Sequence, residues 1–168
     1  MKIEVTAGDI LDVSADVLIC SANTQLNMTG GVNGAILLRG GEDIQQELHA
    51  FLKNSGRRHV PPGSVVCTRP GPLDVKHILH AVAVDGAYRS DVGLVAQVIG
   101  DALVEAERLG GVHVTLPALA TGYGPLSMEQ FAASVRLALD RFEGKIRKLT
   151  IVLRHGHEAD AVRKALSR

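Results

Sequence analysis

The stretch Ala22–Ile36, which reads ANTQLNMTGGVNGAI, decides how the rest of this chain is interpreted. An apolar strand, Val17–Cys20, leads into it, and an apolar helical segment, Ala35–Leu38, follows it. The loop between them has glycine at three of five positions and lets backbone N–H groups approach an anion closely, since glycine lacks a Cβ. The helix start adds unpaired N–H groups and a partial positive charge. The pattern indicates an anion-binding loop, although a simple turn explains these glycines equally well.

Length and composition indicate one ordinary globular domain over residues 1–168, with 46% hydrophobic and 21% charged residues. Lysine plus arginine and aspartate plus glutamate both number 18, so the net charge is zero and a nucleic-acid partner is not expected. Met1–Val5 lacks a signal-peptide core, and no apolar run has membrane-spanning length. We therefore expect a cytoplasmic protein with no membrane partner.

The two cysteines, Cys20 and Cys67, lie in apolar segments that are typical of strands. We expect both to be buried free thiols in a reducing compartment, with no disulfide between them. The sequence places no histidine where it would activate Cys20 as a nucleophile. The seven histidines also lack cysteine or acidic companions at zinc-site spacing, so we expect no metal site.

Strand and helix patterns alternate along the chain without a repeat or a long linker, which favours a single α/β domain. We expect a mixed, mostly parallel sheet with helices on both faces. The predicted strands are 3–6, 17–22, 64–68, 76–84, 112–116 and 149–153. One predicted helix buries Ile44, Leu48, Phe51 and Leu52, and another begins at a capping box of Ser127 and Gln130.

A second loop of small residues, Pro117–Pro125, follows the strand at 112–116. Ligands of open α/β sheets bind in the crevice at the carboxyl ends of the strands. Because both loops follow strands, they can share that crevice, and two facing anion-binding loops suit a diphosphate.

The chain contains four short segments, Gly8–Ile10, Ala22–Asn23, Gly30–Ile36 and Pro117–Gly124, in that order. In order and spacing they resemble the macrodomain family, and the resemblance covers essentially the whole chain. It implies a three-layer α/β/α sandwich with a mixed central sheet of about six strands. Members of the family bind ADP-ribose, and some hydrolyse ADP-ribose from proteins or process its small-molecule derivatives.

The resemblance also assigns ligand contacts. Asp9 and the Ile10 backbone would meet the adenine, Asn23 would face the distal ribose, and Tyr123 would cover the phosphates or that ribose. Arg154 takes the position of an aromatic residue that stacks on adenine in the family, and a guanidinium can also stack on a base. The implied binding residues are Asp9, Ile10, Ala22, Asn23, Gly30, Gly31, Val32, Asn33, Gly34, Ala120, Thr121, Gly122, Tyr123, Gly124 and Arg154.

Structural roles compete with three of these assignments. Asp9 can cap its own turn, a common arrangement after glycine. Asn23 can stabilise its loop through the backbone, a role that is compatible with ribose binding. Arg154 can be a solvated residue at the end of a strand.

Catalysis is where the sequence departs from the hydrolytic members it resembles. They generally carry an aspartate ten residues after the asparagine of Ala-Asn, and this chain has Asn33 there. A carboxamide orients water but is no useful base near neutral pH. Leu37 replaces a histidine of some of those enzymes, and Cys20 replaces an earlier asparagine. The catalytic candidates are therefore reduced to Asn23 and Asn33, unless a substrate phosphate activates the water.

These observations leave three functional hypotheses. The first is a binding module for ADP-ribose or an ADP-ribosylated protein, with ADP-ribose as ligand and no cofactor. The second is an ADP-ribosyl hydrolase or a deacylase of an ADP-ribose ester with a non-standard active site. The third is a binder of another nucleotide metabolite.

Overall fold

Six strands and five α-helices alternate along residues 1–168, all of which the computed structural model describes. A 3₁₀ helix, Ile10–Asp12, follows the first strand. The strands are β1 Lys2–Ala7, β2 Val17–Ala22, β3 Val65–Thr68, β4 His77–Val82, β5 His113–Leu116 and β6 Lys148–Leu153. The helices are α1 Gly31–Gly40, α2 Glu42–Asn54, α3 Val92–Arg108, α4 Met128–Arg141 and α5 Gly156–Leu166.

The strands form one sheet in the order β1-β6-β5-β2-β4-β3. All neighbouring pairs are parallel except β3 with β4, which confirms the expectation of a mixed, mostly parallel sheet. Parallel pairing places the carboxyl ends of β1, β2, β4, β5 and β6 at the same edge of the sheet. The loops that follow these strands therefore share one edge.

Helices cover both faces of the sheet, in three layers as the sequence predicts. Alternate residues of β2 point to opposite faces, so Val17 and Ile19 join the core beneath α3, α4 and α5. Leu18 and Cys20 join the second core, beneath α1 and α2. Because β2 is buried on both faces, its sequence is apolar at consecutive positions. None of the helices combines the length and apolar character needed to cross a membrane.

Asp16 connects three strands at the opposite end of the sheet, where the parallel strands begin. Its carboxylate accepts hydrogen bonds from the backbone N–H groups of Val112 and His113, both at 2.9 Å. The same carboxylate pairs with Lys76 Nζ at 2.8 Å. The Lys76 ammonium, followed by the backbone donors, holds the pKa of Asp16 down at about 2. The residue thus fastens the start of β2 to the starts of β4 and β5.

Two expectations about buried side chains are wrong. Phe51 is 42% exposed, because α2 turns Ile44, Leu48 and Leu52 toward the sheet and leaves Phe51 at the margin of that face. Cys67 is exposed on β3, since an edge strand is covered on fewer sides than β2. The capping box of Ser127 and Gln130 at the start of α4 is confirmed.

Cys20 has a histidine neighbour that the sequence did not reveal. Its Sγ lies 3.3 Å from His80 Nδ1 on the adjacent strand β4, and His80 Nε2 lies 2.8 Å from Thr68 Oγ1 on β3. The parallel register of β2 and β4 sets Cys20 opposite His80. Both residues have no solvent exposure, and burial raises the pKa of the Cys20 thiol. The pair is therefore part of the core, where the thiol stays protonated and out of reach of a ligand.

The buried imidazole gives a prediction for stability against pH. Burial lowers the pKa of His80 from 6.5 to about 4, so the unfolded chain takes up this proton before the folded one. The free energy of unfolding therefore has its full value above pH 6.5, where His80 is neutral in both states. It falls by up to about 3 kcal/mol as the pH decreases toward 4. His80→Gln should flatten this part of the profile when the free energy of unfolding is measured by urea titration. Parallel pH profiles in the two proteins would contradict the prediction.

Candidate functional site

A cavity of about 380 Å³ opens at the edge of the sheet where the parallel strands end. It collects the loops that follow β2, β4, β5 and β6. Twelve of the sequence-predicted residues line it: Ala22, Asn23, Gly30, Gly31, Val32, Asn33, Ala120, Thr121, Gly122, Tyr123, Gly124 and Arg154. Asp9, Ile10 and Gly34 are not among the lining residues.

The first glycine-rich loop enters α1 through two residues in the left-handed region. Gly30 has a φ of +62° and Gly31 a φ of +53°, conformations that favour glycine. The Gly34 N–H donates to the Gly30 carbonyl at 2.9 Å, whereas the N–H groups of residues 31–33 donate to no acceptor of the protein. No side chain caps this helix. The first turn thus presents three backbone donors, together with the positive end of the helix dipole.

The segment before these glycines is held by its own side chains and by α2. The Asn23 amide donates to the Asn27 carbonyl at 2.9 Å and accepts from the Asn27 N–H at 3.0 Å. Gln45 of α2 accepts from the Met28 N–H at 2.7 Å and donates to the Leu26 carbonyl at 2.9 Å. Asn23 therefore has the loop-stabilising role, while its place at the cavity leaves its predicted contact with the distal ribose open.

Asn33 is the one candidate with a buried side-chain polar atom that lacks a hydrogen-bond partner. Its residue is 9% exposed, and its Oδ1 is buried without a hydrogen-bond partner. A buried carbonyl oxygen without a donor costs free energy, about 1–3 kcal/mol. Because Asn33 lines the cavity, a ligand hydroxyl could supply the missing donor.

The second loop is built around a close approach of its own backbone. Ala120 has a φ of +60°, and its carbonyl accepts from the Leu126 N–H at 3.0 Å. A Cβ at Gly124 would lie 2.5 Å from that carbonyl oxygen, so only glycine fits there. The backbone N–H groups of residues 120–124 donate to no acceptor of the protein. This loop thus adds five more unpaired donors at the same cavity.

Tyr123 brings the two loops together. A Cβ at Gly30 would lie 2.6 Å from the Tyr123 hydroxyl oxygen, so the tyrosine reaches across to the first loop. The Tyr123 side chain is nevertheless 76% exposed. Its ring also packs against Tyr88, from the loop after β4, with the ring centroids 6.0 Å apart.

Asp9 adopts the turn interaction that competes with adenine binding. One carboxylate oxygen accepts from the Leu11 N–H at 2.9 Å and caps the 3₁₀ helix. The other lies 3.3 Å from Arg39 Nη1 of α1. The Gly8 N–H donates to the Leu153 carbonyl, which keeps Asp9 beside the β6 end of the cavity. A contact of Asp9 with adenine remains a prediction.

The β6 end of the cavity carries its charged side chains. Arg154 is exposed there, and Glu158 is the only carboxylate that lines the cavity. Glu158 Oε2 accepts from the His155 N–H at 3.0 Å and so caps α5. Sequence reasoning assigned no ligand contact to the loop after β4, which contributes Ala83, Val84 and Tyr88, because no glycine motif marks it. After β6 it named Arg154 but not His155 or Glu158. The remaining lining residues are strand, loop or helix neighbours of the predicted ones: Ser21, Thr29, Pro117, Ala118, Met128, Val152 and Leu153.

Comparison with protein families identifies the chain. The Macro domain model matches residues 19–135, a span that contains both glycine-rich loops. The chain belongs to the macrodomain family. An uncharacterised protein of Pyrobaculum aerophilum is 35% identical over 163 residues, covering 95% of this chain and 87% of that protein. A macro domain-containing protein of Streptomyces griseus is 32% identical over 157 residues, which cover 92% of this chain and 89% of that protein.

Solved macrodomains share the fold at low sequence identity. A mutant of the Oceanobacillus iheyensis macrodomain with ADPR superposes with a TM-score of 0.89 at 21% identity, covering 98% of this chain and 91% of that one. A Trypanosoma brucei macrodomain in complex with ADP-ribose gives a TM-score of 0.78 at 21% identity, covering 98% and 68%. These likenesses establish the macrodomain fold for the whole chain.

Gln45 provides a test of how this macrodomain holds its first loop. Gln45→Ala should lower the free energy of unfolding by about 1–3 kcal/mol, because the buried Met28 N–H loses its acceptor. In a domain of this size each kcal/mol lowers Tm by roughly 2–4 °C. Calorimetry should show the decrease, whereas the exposed Gln97→Ala on α3 should change stability by less than about 0.5 kcal/mol. Equal Tm values for the two variants would show that Gln45 does not stabilise the loop.

Proposed function

We propose that this macrodomain binds ADP-ribose, free or attached to a protein, across its two loops. The observation that carries the proposal is the set of unpaired backbone donors at residues 31–33 and 120–124. Both sets belong to residues that line one cavity, and Tyr123 of one loop reaches Gly30 of the other. Eight such donors from two loops suit the oxygens of a diphosphate.

The other parts of the ligand would lie along the row of strand ends, with the adenine near β6 and the distal ribose near β2. Arg154 at the β6 end is suited to stack on the adenine, as its guanidinium is planar and exposed. Asn33, in the loop and helix after β2, is suited to accept a hydrogen bond at its unsatisfied Oδ1 from a hydroxyl of the distal ribose. The solved macrodomains with ADPR and ADP-ribose support this choice of ligand.

Hydrolysis of an ADP-ribosyl linkage is the second hypothesis, and the cavity offers it little general-base chemistry. Asn33 is a carboxamide, and the two lining side chains able to take a proton, His155 and Glu158, follow β6 at the far end of the cavity from Asn33, where Glu158 caps α5. A general base must lie within hydrogen-bond reach of the proton it takes. The Cys20 and His80 pair is fully buried and lies outside the cavity lining. Binding is therefore the function that the site supports best.

Gly122 gives a sharp test of the diphosphate contact. A Cβ there meets no atom within 4 Å and its φ is not positive, so a side chain fits without strain. Gly122→Glu should abolish binding of ADP-ribose, because like charges 4 Å apart repel by roughly 4 kcal/mol at an effective dielectric of about 20. Gly122→Gln has nearly the same size without the charge and should weaken binding much less. Calorimetric titration without added metal should give micromolar binding for the wild type.

Two results would go against the proposal. A folded wild-type protein that does not bind at millimolar ADP-ribose would rule out the function. Equal binding by the glutamate and glutamine variants would show that the second loop does not meet the phosphates. Circular dichroism of each variant confirms that the fold is retained.

Asn33→Asp tests the hydrolytic hypothesis. The substitution hardly changes volume and adds a carboxylate in the first turn of α1, where the helix dipole favours its ionised form. If catalysis lacks only a general base, release of ADP-ribose from a mono-ADP-ribosylated protein should rise, by ~100-fold or more in the favourable case. Rapid release by the wild type that Asn23→Ala abolishes would instead show an enzyme with another way of activating water.

A further inference from the structure

Both tyrosines of the chain lie at one end of the cavity. Tyr88 and Tyr123 are the only two tyrosines of the chain. They come from different loops, and each lines the cavity. Their ring centroids are 6.0 Å apart and their planes are inclined by 54°, an arrangement within the range of favourable aromatic pairs. Tyr88 is 43% exposed, so its ring is not part of the core. The pair is therefore a surface feature of the cavity.

The loop after β4 holds Tyr88 in a conformation that a bulky residue rarely adopts. Its φ is +59°, in the left-handed region. Asp85 maintains that turn, because its carboxylate accepts from the N–H groups of Ala87 and Arg89, both at 2.9 Å. Arg89 Nε donates to the same carboxylate at 2.8 Å, and Ser90 Oγ donates to the Ala83 carbonyl at 2.5 Å. Strained residues that are held in place by surrounding contacts cluster at active sites and ligand-contacting loops.

The strand order places Tyr88 at the end of the cavity remote from Arg154. Arg154 follows β6, Tyr88 follows β4, and β5 and β2 lie between those strands. Three strand spacings separate the two ends, or ~14 Å. The unpaired donors of the two glycine-rich loops follow the intervening strands β2 and β5. A ligand with its base near Arg154 and its diphosphate at those donors therefore extends toward Tyr88.

We propose that Tyr88 is a specificity-determining residue of this cavity. With Tyr123 it forms a wall that contacts the sugar beyond the diphosphate, so it selects ADP-ribose over nucleoside diphosphates that lack that sugar. Tyrosine rings are suited to this role, since they offer rigid apolar area to a sugar face and a hydroxyl to its polar rim. The inference rests on the proposed function, because it assumes the direction in which ADP-ribose lies.

Paired titrations with ADP-ribose and ADP test the inference. Tyr88→Asn removes the ring but keeps a residue that tolerates the left-handed conformation. It should weaken ADP-ribose binding by roughly two- to tenfold, the range expected for loss of an aromatic contact, and leave ADP binding unchanged. Tyr88→Phe keeps the ring pair and should retain the preference for ADP-ribose. Phe51→Ala, which removes an exposed ring outside the cavity, should change neither affinity.

The outcomes separate this inference from the proposed function. Failure of the wild type to bind ADP-ribose would overturn the proposed function itself. If the wild type binds, equal weakening of ADP-ribose and ADP by Tyr88→Asn would overturn the specificity role and leave only a structural one. No effect on either ligand would overturn any contact of Tyr88 with the ligand.

Discussion

The parallel pairing of β2 with β4 and β5 positions three of the four loops that line the cavity. Asp16 fixes it at one edge of the sheet, with its carboxylate shared between Lys76 and two backbone N–H groups. Fixing three strand starts also fixes where the strands end. Three loops must then emerge together at the other edge, and this is where the cavity lies.

Backbone strain is concentrated at that edge. The chain has three non-glycine residues with positive φ, namely Leu26, Tyr88 and Ala120, and they lie in the loops after β2, β4 and β5. Each is held by a neighbouring contact: Gln45 binds the Leu26 carbonyl, Asp85 maintains the turn of Tyr88, and the Ala120 carbonyl accepts from Leu126. Strain at three adjacent loops persists only where surrounding contacts over-determine the conformation. Contacts within the protein thus hold the loops that line the cavity.

The proposed diphosphate site has no cluster of positive side chains. Arg154 is the only lysine or arginine that lines the cavity, and the chain as a whole has no net charge. In the proposed binding mode, backbone donors and the start of α1 attract the diphosphate instead. Dipoles of this kind act over short distances and need fixed geometry, which is consistent with the glycines of both loops and with Tyr123 crossing to Gly30. For the same reason, the zero net charge of the chain says little about the proposed ligand.

Local sequence patterns were enough to predict the strands, the helices and a mixed, mostly parallel sheet, because buried strands, amphipathic helices and glycine-rich loops each have their own periodicity or composition. The Ala22–Ile36 stretch and the Pro117–Pro125 loop even indicated which loops share the cavity. Contacts between residues distant in the chain became visible in the three-dimensional structure alone. It set His80 beside Cys20 through the strand register, engaged Asp9 with Arg39, and left Asn33 Oδ1 buried without a donor. It also brought Tyr88 to Tyr123, since contacts between loops follow from the strand order, which no local pattern encodes.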